Sequence, residues 1–150
     1  MTDQDPSPED VARVQATFDR VWSTADETAE RFYALLFEIA PQARALFRGD
    51  LTEQRRKFLS TLAVLVGSLD DKDRLLSVAR TIAKQHVHYG VEASHYPALG
   101  AALMRALESR LGSEWNGETA AAWSRVYRSL SKHMIEQAYG GLEDEHERAP

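Results

Sequence analysis

The stretch Leu75-Leu76-Ser77-Val78-Ala79-Arg80-Thr81-Ile82-Ala83-Lys84-Gln85-His86-Val87-His88-Tyr89-Gly90-Val91 carries an apolar rhythm that ends on a histidine. Leu75, Leu76, Ala79, Ile82 and Ala83 recur at the i, i+3, i+4, i+7 spacing of one buried helical face, and His86 takes the next place on it. The imidazole is therefore expected to point inward. An inward imidazole has two ordinary roles, a hydrogen bond to a neighbour or ligation of a metal. This stretch alone leaves both open.

The surrounding composition narrows the classes. A chain of 150 residues, 43% apolar and 27% charged, matches one globular domain with a single core. Its net charge of -5, with acids and bases interleaved along the chain, disfavours a nucleic-acid partner. The absence of cysteine removes disulfides, thiolate nucleophiles, iron-sulfur clusters and cysteine-zinc sites. Met1 to Asp10 is acidic and holds Pro6 and Pro8, unlike a signal peptide. The longest uncharged apolar stretch, Phe58 to Leu69, is too short to span a bilayer, so a cytoplasmic protein without a membrane partner is expected.

Working outward from His86, every segment reads as helix or corner. Ser7-Pro8-Glu9-Asp10 combines a cap, a proline at the first helical position and an acid three residues after the cap. Val11, Val14, Phe18, Val21 and Trp22 then form a stripe. Thr24 with Glu27 repeats the capping pattern before a second stripe of Ala29, Phe32, Tyr33, Leu36, Phe37 and Ala40, which Pro41 ends. Pro41 to Phe47 leaves room for a turn or two, and Arg48-Gly49-Asp50 reads as a corner. A third helix from Thr52 carries Phe58, Leu62, Leu65, Val66 and Leu69.

Asp70 to Asp73 is a solvated connection to the helix of His86. Beyond Gly90, Ser94 is a candidate cap for a helix running to about Leu111 through Leu99, Leu103, Met104 and Leu107. Gly112 to Gly117 is a loop, and a last helix carries Trp123, Val126, Tyr127, Leu130, Met134 and Ala138 before Gly140-Gly141. No segment alternates with a period of two. The expectation is one all-helical domain over residues 9–140, built of seven or eight unequal helices, with an extension over 1–8 and a charged tail over 141–150.

Two further polar side chains interrupt apolar stripes. Gln54 lies one turn before Phe58, so its phase turns the amide toward the interior or its rim; a surface glutamine on an exposed first turn is the alternative. Tyr33 sits one turn before Phe37, where a tyrosine is also compatible with plain core packing. A phenol, an amide and an imidazole on three helices are together what a ligand pocket in an apolar interior needs. Other chemistry fares worse. His86 and His88 lie about 200° apart on a helix and cannot chelate one ion from it. His95, His133 and His146 lack ligand spacing and are expected at the surface, and no zinc-protease, phosphate-loop or nucleophile-elbow motif occurs.

These landmarks resemble those of single-domain bacterial globins, similar to the haem domain of flavohaemoglobins. The resemblance runs from about Val11 to Ala138. It rests on Phe32 to Phe37, Pro41 to Phe47, Glu53 to Lys57, His86 to Val91, His95-Tyr96-Pro97 with Gly100, and Ala121-Ala122-Trp123 with Tyr127. It implies a three-over-three helical sandwich around one haem b. Residue by residue, it implies that His86 is the proximal iron ligand, that Phe47 packs on the haem face, and that Tyr33 and Gln54 flank the open coordination position. Phe58, Tyr96 and Val91 complete the implied cofactor contacts. Phe58 falls where such globins carry a smaller aliphatic residue, so its ring is expected to fill space over the open coordination position, slowing ligand entry or pushing Gln54 outward.

The functional implication is reversible binding of dioxygen, nitric oxide or carbon monoxide, with Tyr33 and Gln54 donating hydrogen bonds to a bound ligand. Each bond to a charge-bearing acceptor contributes roughly 1.5 to 3 kcal/mol. In flavohaemoglobins a glutamate on the last helix joins a tyrosine and the proximal histidine. Tyr96 matches the tyrosine, whereas Ala138 stands where the glutamate belongs and Glu136 faces elsewhere. The chain also ends where a reductase domain would begin, so nitric-oxide dioxygenase turnover is expected to need a separate reductase; peroxidase-type haem activity is the other enzymatic possibility. The alternatives are a haem-based gas or redox sensor acting through a partner protein, and a haem-free regulatory domain. The chain is expected as a monomer or homodimer.

Overall fold

The computed structural model describes residues 6–47, 51–88 and 92–137. They form six α-helices: α1 (Pro8–Trp22), α2 (Ala25–Ile39), α3 (Leu51–Gly67), α4 (Lys72–His88), α5 (Tyr96–Leu111) and α6 (Gly117–Ile135). Short 3-10 turns occupy Pro41–Leu46, Ala93–His95 and Gly112–Glu114. No strand occurs among the described residues, and none of their helices is long and apolar enough to cross a membrane. The expected seven or eight helices resolve into these six because the shorter pieces are 3-10 segments of one or two turns, a common way to join α-helices.

Helices α1, α3 and α4 form one layer and α2, α5 and α6 the other, the three-over-three sandwich expected. Helix α1 packs against α6, α2 against α5 and α3, and α4 against α6. At the centre, Trp123 is 1% exposed and its ring lies 6.4 Å from that of Phe18. Its indole Nε1 donates to Thr17 Oγ1 at 2.9 Å, and the Thr17 hydroxyl donates in turn to the Arg13 carbonyl at 2.7 Å. Such a relay matters because a buried indole N–H without a partner costs about 1 to 3 kcal/mol.

The start of α1 follows the sequence pattern. Ser7 Oγ accepts from the Asp10 N–H at 3.1 Å, Asp10 Oδ2 accepts from the Ser7 N–H at 3.0 Å, and Pro8 holds the first position. The same carboxylate receives Arg125 Nε at 2.8 Å and Nη2 at 2.9 Å, so the cap also ties α1 to α6. Arg125 holds the Asp10 carboxyl at about 2, below the usual 3.8, as expected when a cation hydrogen-bonds the charged form.

Two expected caps are absent. Thr24 precedes α2, but its hydroxyl donates back to the Val21 carbonyl at 3.2 Å and caps no N–H of α2. Ser94 lies exposed inside the Ala93–His95 turn rather than before α5, whose first turn contains Pro97. There His95, expected at the surface, is partly buried, and its Nδ1 accepts the Glu92 N–H at 2.9 Å. Part of the expected 112–117 loop is the Gly112–Glu114 turn, after which Asn116 caps α6 by accepting the Thr119 N–H at 2.9 Å.

Candidate functional site

The residues singled out by the sequence gather in two clusters. The first lies where α2 meets α3 and the turn before it. Pro41 stops α2, and the 3-10 turn it starts delivers Phe47 beside Tyr33, with ring centroids 5.3 Å apart and edge to face. Tyr33 is 4% exposed. Its ring lies 5.0 Å from Phe32, 6.1 Å from Phe37 and 5.9 Å from Phe58. Phe58 stacks on Phe32 at 4.1 Å with 10° between planes.

That stack holds the larger ring at position 58, and the ring does not drive Gln54 away from Tyr33. Gln54 is half-buried and lies close enough to act on the phenol. Burial pushes the Tyr33 phenol up to about 12, opposed in part by Gln54 and the charge of Arg55. The hydroxyl therefore stays protonated, and able to donate, across the physiological range.

Arg44 fixes the same corner. Its Nη1 donates to the Phe47 carbonyl at 2.9 Å, and its guanidinium lies 5.4 Å from the Phe37 ring centroid. Sequence reasoning missed Phe32, Phe37 and Arg44 as neighbours of this cluster. The two phenylalanines lie in an ordinary core stripe, and nothing in the spacing of Arg44 marks it.

The second cluster joins α4, α5 and α6. His86 is half-buried near the end of α4, and its Nδ1 lies 2.9 Å from the hydroxyl of Tyr96, the first residue of α5. Burial lowers the imidazole pKa and favours the neutral ring. Tyr127 on α6 donates its hydroxyl to the Tyr96 main-chain carbonyl at 2.5 Å. Burial, with the Tyr96 phenol nearby, raises the Tyr127 pKa and keeps that donor protonated.

Tyr127 comes this close because residue 100 is glycine. A Cβ there would lie 2.5 Å from Tyr127 Cε2, well inside any real contact. Tyr96 and Tyr127 also line an open groove of about 410 Å³ between α5 and α6. Helix α3 borders both α2 and α4 and so lies between the two clusters in the packing order. Val91 and Ala138 lie outside the described residues, as does His146, while Glu136 is exposed and His133 partly buried.

Residues 30–134 match the sequence profile of the globin family. A globin-like protein of Aquifex aeolicus is 30% identical over 129 residues, covering 86% of this chain and 91% of that protein. A flavohemoprotein of Bordetella pertussis is 30% identical over 132 residues, covering 86% of this chain but 33% of that protein; the chain spans about a third of such a relative. In structure the chain is similar to a bacterial globin of Campylobacter jejuni, with a TM-score of 0.81 at 21% identity, covering 92% of this chain and 99% of that one. With the profile spanning most of its length and the fold matching throughout, this chain belongs to the globin family of haem-binding proteins.

Proposed function

We propose that this globin holds haem b through His86 and reversibly binds dioxygen, nitric oxide or carbon monoxide in the pocket bordered by Tyr33 and Gln54, as a cytoplasmic protein. The observation that carries the reading is the His86–Tyr96 pair. A neutral imidazole that donates Nδ1–H to the Tyr96 oxygen presents its lone pair at Nε2, and an oriented imidazole of this kind is the usual proximal donor. Haem held there would supply iron able to bind a diatomic ligand.

The donor set fits that cofactor. Phe47, Phe58 and Phe37 offer apolar ring surface on the side of Tyr33, suited to a flat macrocycle, and each is only partly buried by the rest of the chain. Tyr33 and Gln54 are the polar groups of that cluster, and one phenol kept protonated by burial beside one amide makes a pair of donors for a ligand carrying negative charge. Tyr96 orients His86, and Tyr127 anchors the Tyr96 backbone.

Sustained nitric-oxide turnover in this reading depends on electrons from a separate reductase. The flavohemoprotein relatives support the need for such a donor, because their name couples a flavin to the haem. The test is the absorption spectrum of the purified protein in ferric, ferrous and air-exposed ferrous forms. An intense Soret band that His86→Ala abolishes or shifts is expected. A wild type without the band after haem addition, or one whose band ignores His86→Ala, refutes the reading.

A further inference from the structure

We infer that Arg44 is a positioning residue for the cofactor pocket: it clips Phe47 and Phe37 into place beside Tyr33 and so sets how firmly haem is retained. The inference rests on the proposed haem site and adds to it a side chain that would act through the pocket's rings.

Phe47 follows the 3-10 turn Pro41–Leu46 and already has extended backbone, with φ -111° and ψ 110°. Helical bonding therefore no longer fixes its orientation. Arg44 does so from both ends of the residue. The Phe47 N–H donates to the Arg44 carbonyl at 3.2 Å, and Arg44 Nη1 donates back to the Phe47 carbonyl at 2.9 Å. The first bond belongs to any 3-10 turn. The second comes from the side chain and supplies a partner for a carbonyl at the end of that turn, where the helical ladder offers none.

The same guanidinium lies 5.4 Å from the centroid of the Phe37 ring, within the range at which a cation is attracted to an aromatic face. The rings of Phe37 and Phe47 meet edge to face at 5.7 Å, and that of Tyr33 lies 6.1 Å from the one and 5.3 Å from the other. One side chain thus holds two of the rings that flank the phenol. Arginine suits the task, since its planar fork can turn a face to a ring while an N–H at its edge reaches a carbonyl. Lysine keeps the charge but lacks both the plane and the fork. Neither contact involves a carboxylate, so salt has no opposite charge to screen.

Retention is read as transfer of haem from the ferric protein to an excess of haem-free myoglobin, followed at the Soret band. Arg44→Met removes both contacts, keeps an unbranched side chain and leaves the buried core untouched, because Arg44 is exposed. It is expected to lose haem about tenfold faster, the weight of one net hydrogen bond. Arg44→Lys is expected to fall between Arg44→Met and the wild type. Arg105→Met, which removes an exposed cation from α5, is expected to match the wild type. The Arg44→Met effect should persist from about 0.05 M to about 0.5 M salt, a range over which an exposed ion pair is largely screened. Amide hydrogen exchange at Phe47, followed by NMR with and without haem, should be about tenfold faster in Arg44→Met as the turn opens more readily.

Unchanged haem loss in Arg44→Met, or equal acceleration in Arg105→Met, would overturn the inference. An acceleration that disappears as salt is raised would also overturn it, assigning Arg44 to the cofactor's carboxylates instead of the rings. Exchange at Phe47 needs no cofactor. A wild type that takes up no haem would refute the haem reading, whereas unchanged exchange at Phe47 in Arg44→Met would refute the clip, so the two failures are distinguishable.

Discussion

Replacing Tyr33 by phenylalanine removes one hydroxyl and little else. The ring keeps its contacts with Phe32 at 5.0 Å, Phe47 at 5.3 Å, Phe58 at 5.9 Å and Phe37 at 6.1 Å, so packing and stability are expected to change little. The lost group is a buried donor whose pKa stands at about 12, protonated wherever the protein is folded and functional. A hydrogen bond from such a group to a charge-bearing ligand contributes roughly 1.5 to 3 kcal/mol, which translates into about a ten- to hundredfold difference in ligand release. Gln54 stays in place as a second donor, which sets the expectation near the lower end. Stopped-flow displacement of dioxygen from the ferrous protein measures the rate directly. The wild-type rate should also stay flat from about pH 6 to about pH 10, since a phenol at about 12 does not ionise there. A Tyr33→Phe rate equal to the wild type, or a wild-type rate that climbs within that pH window, would refute the donor assignment.

Two predictions concern the frame that holds the site. Asp10 sits at about 2 in the folded protein against 3.8 without its partners, so its contribution is complete above about pH 4 and is lost as pH falls toward 2. The carboxylate is 10% exposed but Arg125 is 42% exposed, and allowing for screening by water leaves about 1 to 2 kcal/mol. Urea denaturation should find Asp10→Asn less stable by that amount at pH 7, with the gap narrowing below about pH 4; a gap independent of pH would contradict the ion pair. Gly100→Ala forces a methyl against the Tyr127 ring and should cost about 1 to 3 kcal/mol, recovered in part by Tyr127→Leu, as thermal unfolding would show. Full stability in Gly100→Ala would mean that the close approach is not tight.

Much of the candidate site was legible one helix at a time. The inward phase of His86 follows from Leu75, Ala79, Ile82 and Ala83, and those of Tyr33 and Gln54 from Phe37 and Phe58, because a 3.6-residue period assigns each side chain to a face. The Ser7–Asp10 box was legible for a similar reason, since its partners are three residues apart and one helical turn brings them together. Thr24 shows where local patterns stop deciding. The same residue types were present, but its hydroxyl turned back to the Val21 carbonyl.

By itself, then, the sequence determined the helices, their buried faces and which polar side chains interrupt them. Only the tertiary structure decided which interruptions meet. Tyr96 reaches His86 Nδ1, Tyr127 reaches the Tyr96 carbonyl past Gly100, Phe58 stacks on Phe32, and Arg125 closes on Asp10 across 115 residues of chain. The reason is physical. Periodicity fixes rotation about a helix axis, whereas these contacts depend on where two helices cross and how far each slides along the other, and that is set by how all the faces pack at once.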